Sequence, residues 1–125
     1  MNDANIYYKL TKRKKMNKQI EETLKIAKEQ FIAFGFNEVQ MTKLLASGQR
    51  DLEQEMSKLK KLLETIPVDI EEINKLTHGL KGLFLNMGNH KVAEKLVDFR
   101  ENSVDDEDVM KELLVYLKLD KEDTI

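Results

Sequence analysis

Between residues 37 and 63 the apolar side chains recur by threes and fours, Met41, Leu44, Leu45, Leu52, Met56, Leu59 and Leu63, with no proline in the run. That period puts them on one face of a helix and fits no strand, whose side chains alternate by twos. Asn37 offers the N-cap and the lone proline, Pro67, sets the far limit, which predicts a helix of about 27 residues and about 40 Å. A wall of that length needs other helices laid along it, so the rest of the chain is constrained before it is read. Gly48 interrupts the run as either a kink or a tolerated exposed position.

The remaining periodicity supplies those partners. Ile20, Leu24, Ala27, Phe31 and Phe34 form an earlier stripe that stops at Gly35, extending backwards if Ile6, Tyr7 and Leu10 join it. Asp69 caps a third helix with Glu71 and Glu72 in its first turn, a stripe of Ile70, Ile73, Leu76, Leu80, Phe84 and Met87, and a stop at Gly88. Asn89 caps a fourth, carrying Val92, Ala93, Leu96, Val97 and Phe99, and Asp105 or Asp106 opens a fifth through Val109, Met110, Leu113, Leu114 and Leu117. Short connections favour antiparallel neighbours. The expected fold is all-α: an antiparallel up-and-down four-helix bundle with an additional N-terminal helix on its flank.

Composition narrows the chemistry. A chain of 125 residues holds one core, and the absence of cysteine excludes disulfides, thiolate nucleophiles and cysteine-based zinc sites. No apolar run reaches the ~18–20 residues of a membrane span and no signal-peptide core is seen, so a cytoplasmic protein is expected. The formal charge of -2 conceals opposed ends. Lys9, Lys12, Arg13, Lys14, Lys15 and Lys18 make one basic, and Asp105, Asp106, Glu107, Asp108, Glu112, Asp120, Glu122 and Asp123 make the other acidic. Residues 1–17 are therefore set apart as a basic extension, helical or frayed, from a bundle over residues 18–125; a solvated charged face explains it without nucleic acid.

The third helix carries the chemical signal, because residues 77–88 place Gly79, Gly82 and Gly88 in or beside it, next to one of only two histidines. At about 100° per residue His78 lies about 150° from the centre of the buried stripe and faces water. Lys81 and Gly82 stand beside it at i+3 and i+4, Asn74 and Lys75 at i−4 and i−3, and Leu85 shares the face. A neutral imidazole can attack phosphorus, Lys81 can offset the charge of the phosphoryl group, and Gly82 clears the side chain that would obstruct a partner. Leu85, Asn74 and Lys75 would form a docking rim. Gly88 is structural, as a helix end, and Gly79 is expected to permit close helix approach. His90 opens the next helix as a surface residue, and two histidines without convergent carboxylates make no metal site.

The residues His78, Leu80, Lys81, Gly82 and Gly88 resemble the signature of histidine phosphotransfer domains, His-x-Leu-Lys-Gly followed by a second glycine six residues after the first. The likeness runs from about Asn37 to the fifth helix in the same order of helices. It implies a phosphocarrier of a multistep two-component phosphorelay without kinase activity of its own. His78 would be the phosphoacceptor, Lys81 the stabilising cation and Gly82 the clearance residue. The implied partners are response-regulator receiver domains and a hybrid histidine kinase, with Mg²⁺ held by the receiver and no cofactor on this chain, which is expected to be a monomer.

Two positions depart from the family pattern. Leu83 follows Gly82 where a small residue is usual, and Arg100 falls where the phosphoacceptor domains of chemotaxis kinases usually carry a glutamate that orients the histidine ring. A cation there cannot accept the ring N–H, Glu101 is one residue out of register, and Arg100 is left to approach the phosphoryl group or a partner. Two alternatives stand beside the phosphocarrier: a helical interaction module that carries no phosphate and binds an acidic partner through its basic extension, and the phosphoacceptor portion of a larger hybrid or chemotaxis kinase.

Overall fold

The computed structural model describes residues 16–101 and 107–119, and among these there are five helices and no strand. They are α1 (Lys18–Ala33), α2 (Glu38–Glu64), α3 (Ile70–Asn86), α4 (His90–Glu101) and α5 (Glu107–Tyr116). The basic segment over residues 1–15, and Asp105 and Asp106 as caps, lie outside the described residues. No helix is long and apolar enough to cross a membrane among them.

The starts of α2, α3 and α4 are fixed by local chemistry. Asn37 closes a capping box, its side chain accepting from the Gln40 N–H at 2.8 Å while Gln40 Oε1 accepts from the Asn37 N–H at 3.0 Å. Asp69 accepts from the Glu72 N–H at 3.2 Å and Asn89 from the Val92 N–H at 3.2 Å. The stops are as specific. Gly35 and Gly88 both take φ 83°, and after α3 the Gly88 N–H bonds the Leu85 carbonyl at 2.9 Å and the Asn89 N–H the Phe84 carbonyl at 2.8 Å. That pair of bonds is a Schellman motif, which needs a left-handed residue at Gly88.

The helices pack in chain order, α1 on α2, α2 on α3 and α3 on α4, and α5 returns to α2. Ile20 and Ala27 of α1, Leu52, Met56 and Leu59 of α2, Ile73, Leu80 and Phe84 of α3, Leu96 of α4 and Leu113 of α5 share one buried cluster. A polar thread runs through it. Asn89 Nδ2 donates to Thr23 Oγ1 at 2.8 Å, and Thr23 Oγ1 donates to the Gln19 carbonyl at 2.6 Å, tying α1 to the start of α4.

A second tie joins the two ends of the described fold. Asn17 caps α1 with its side-chain oxygen and turns its amide to the carbonyls of Leu117 and Lys118 at 2.8 and 3.3 Å. Gln19 Nε2 donates to the Tyr116 carbonyl at 2.8 Å. Asn17, grouped by charge with the basic extension, is thus part of the packed fold, as is Met16, which lies against the core.

Three expectations are corrected. Gly48 is not an idle surface position: α2 runs through it, and a Cβ there would lie 2.7 Å from Met87 Cε, so the missing side chain is what admits Met87. Gly79 serves no close approach, because nothing lies within 4 Å of a Cβ built on it. Phe34 and Leu44, placed in buried stripes, are exposed at 67% and 42%. α2 has 27 residues against 16 in α1 and 17 in α3, so its first turns outrun the helices packed on it, and the α1–α2 corner leaves Ile32, Phe34, Val39 and Leu44 in solvent.

Candidate functional site

The face of α3 opposite the core is built by simple phase. Ile73, Thr77, Leu80 and Phe84 are buried, and the Thr77 hydroxyl, which would otherwise be an unpaired polar group in the core, donates to the Ile73 carbonyl at 2.7 Å. With that stripe pinned inward, His78 is exposed. Lys81 and Gly82 follow it half-buried and Leu85 exposed at 39%. These residues form a row along the outer face of α3.

Gly82 is open: nothing lies within 4 Å of a Cβ built there. The half-turn beside the imidazole is therefore accessible to an incoming group. Lys81 makes no ion pair with the described residues, which leaves its ammonium available to an anion beside His78. Lys75, by contrast, is engaged on its own helix, its Nζ lying 3.5 Å from Glu72 and 3.9 Å from Glu71. Such exposed pairs are worth only about 0–1 kcal/mol, so Lys75 can exchange them for another anion.

Across the α3–α4 turn the chain folds back, and His78 and Arg100, which stand 11 residues before and 11 after Asn89, meet. Arg100 Nη1 lies 3.2 Å from His78 Nδ1. Asn74, Lys75, His78 and Arg100 line one shallow concavity together with Glu71, whereas Lys81, Gly82 and Leu85 continue the row beyond it. Glu71 is the residue that sequence reasoning missed. Its place in the first turn of the helix answers to the dipole, yet it also stands seven residues before His78, two full turns along the same face. That spacing was the signal.

The concavity therefore mixes one carboxylate, one ammonium, one guanidinium and one imidazole at the surface. Among the described residues no group of three His, Cys, Asp or Glu side chains is placed to hold a metal ion. His90 is exposed at the start of α4 and lines none of this site. What the arrangement offers chemically is a nitrogen nucleophile in solvent, cations on either side of it, and an unobstructed approach over Gly82. Set against protein-family models, curated proteins and solved structures, the chain matches none, and the reading of this face rests on its own geometry.

Proposed function

We propose that this chain is a phosphocarrier of the histidine phosphotransfer type, taking a phosphoryl group on His78 from a receiver-domain aspartate and passing it to another receiver. The observation that carries the reading is the exposed imidazole of His78 with open space over Gly82 at i+4 and, at i+3, the ammonium of Lys81, which has no ion pair among the described residues. In the reaction a ring nitrogen attacks phosphorus as the bond from phosphorus to the aspartyl oxygen breaks, and the carboxylate leaves with the electron pair. Positioning and positive charge stabilise such a loose transition state, and Lys81 supplies the charge on this side. The Mg²⁺ the transfer uses belongs to the receiver. On this reading α2 to α5 form the antiparallel four-helix bundle with α1 on its flank, and the protein acts as a cytoplasmic monomer.

The test is transfer from phosphorylated receiver domains in Mg²⁺ to wild type and His78→Gln. Label that is acid-labile, alkali-stable and lost in the variant is the expected result. A panel of receivers that leaves wild type unlabelled, or labels the variant equally, refutes the reading. A second reading, an interaction module that carries no phosphate, draws on the exposed apolar corner of Ile32, Phe34, Val39 and Leu44. Partner binding that survives His78→Gln and fails in Phe34→Ser would favour it.

A further inference from the structure

We infer that Arg100 is a positioning residue that holds His78 in its non-attacking tautomer, and so slows both the loading and the loss of the phosphoryl group; this rests on the phosphocarrier reading. A guanidinium has five N–H donors and no acceptor, so its contact with Nδ1 at 3.2 Å is a hydrogen bond only when Nδ1 presents a lone pair. A neutral imidazole with its Nδ1 pair engaged carries its proton on Nε2. Neither nitrogen is then ready to attack. Nε2 lacks a free pair, and the pair on Nδ1 is covered by the guanidinium.

Loading at Nε2 requires the proton to move to Nδ1 through water and Arg100 to swing away, which its exposed position on the outer face of α4 allows. Nε2 then bonds to phosphorus, the aspartyl oxygen leaves, and the imidazolium so formed has phosphorus on Nε2 and a proton on Nδ1. Release of that proton to water restores the Nδ1 pair, and Arg100 can return to it. The guanidinium thus stabilises the empty and the loaded histidine and disfavours only the Nδ1-protonated species between them. That species is the one from which the phosphoryl group departs most readily, because its leaving group is a neutral imidazole. Among the described residues no carboxylate hydrogen-bonds the His78 ring: Glu71 lines the same concavity and lies 3.9 Å from Lys75 Nζ, Glu72 lies 3.5 Å from that ammonium, and Lys81 is a cation.

The tautomer is read without any phosphate, by nitrogen-15 NMR of the His78 ring. Wild type is expected in the Nε2–H form, Arg100→Ala in a mixture that admits Nδ1–H, Arg100→Lys close to wild type, and Arg100→Glu in the Nδ1–H form, since a carboxylate accepts. Loading is then followed with phosphoramidate, a small donor that needs no docking, and with a phosphorylated receiver. Arg100→Ala is expected to load and to lose label about fivefold faster, the scale of one exposed charge-assisted hydrogen bond. Ring shifts that ignore Arg100→Ala, or equal lifetimes of label in the two proteins, overturn the inference. Should neither donor label wild type at His78, the phosphocarrier reading fails and the brake with it, while the ring shifts still report whether the contact exists.

Discussion

Replacing Gly82 by alanine sets stability against access at a single methyl group. Gly82 lies in the interior of α3, where glycine costs about 0.5–1 kcal/mol relative to alanine because it loses more backbone freedom on folding. A Cβ at this position meets nothing within 4 Å, so no clash subtracts from that gain. Gly82→Ala is therefore expected to stabilise the protein by about 0.5–1 kcal/mol, which for a domain of this size raises Tm by on the order of 2–5 °C. Urea unfolding followed by helical circular dichroism measures it. Gly79→Ala is the matched control, since Gly79 is in the same helix and equally open, and it should give a similar gain. The two part company in function. Only position 82 flanks the imidazole at i+4, so phosphoryl uptake from a receiver should fall about tenfold or more in Gly82→Ala and stay at the wild-type rate in Gly79→Ala. Destabilisation by Gly82→Ala would refute the open-space argument, and equal uptake by the two variants would refute the clearance role.

Three further outcomes follow from the packing. Gly88→Ala should destabilise by about 1–2 kcal/mol from the left-handed backbone alone, with the new methyl pushing aside the end of the flexible Gln30 side chain; urea unfolding reads it. Asn17→Ala should cost about 2 kcal/mol or more, losing the α1 cap and both bonds to the end of α5, whereas Asn17→Asp keeps the cap acceptor but faces a carboxylate with two carbonyls and should also destabilise. Burial raises the Tyr116 phenol above its ordinary value of 10.0, so the folded state holds that proton more tightly. Its stabilising contribution is complete below pH 10 and lost as pH climbs through the raised value, and Tyr116→Phe should flatten that alkaline decline in unfolding free energy.

The starts of α2, α3 and α4 were legible because each is decided within a few residues: Asn37, Asp69 and Asn89 cap whatever the rest of the chain does. Gly35 and Gly88 were legible as stops for the same reason. Lys118 was not. It takes φ 60° at the end of α5, where the Leu119 N–H bonds the Leu114 carbonyl at 2.8 Å and Leu119 is buried, so tertiary packing imposes a backbone that its own side chain disfavours. Periodicity also gives the phase of a stripe without saying whether a partner exists along its whole length, which is why Phe34 and Leu44 were misplaced. Around the histidine, the outward direction of His78 followed from counting angles along one helix. Its contact with Arg100 depends on the register between two helices, which no local pattern encodes; only the resemblance had set position 100 beside the ring.

The clasp at Asn17 has a kinetic side. Its bonds to Leu117 and Lys118 span 100 and 101 positions of the chain, the widest separation of any hydrogen bond among the described residues. Loop-closure entropy is met before such a contact returns anything, whereas the α3–α4 turn closes over a few residues. The clasp should therefore be absent from the folding transition state and form on the native side of it. Loosening it would leave the refolding rate nearly unchanged and put the whole loss into faster unfolding. The capping amide at residue 17 is, in those terms, a latch on the lifetime of the native state.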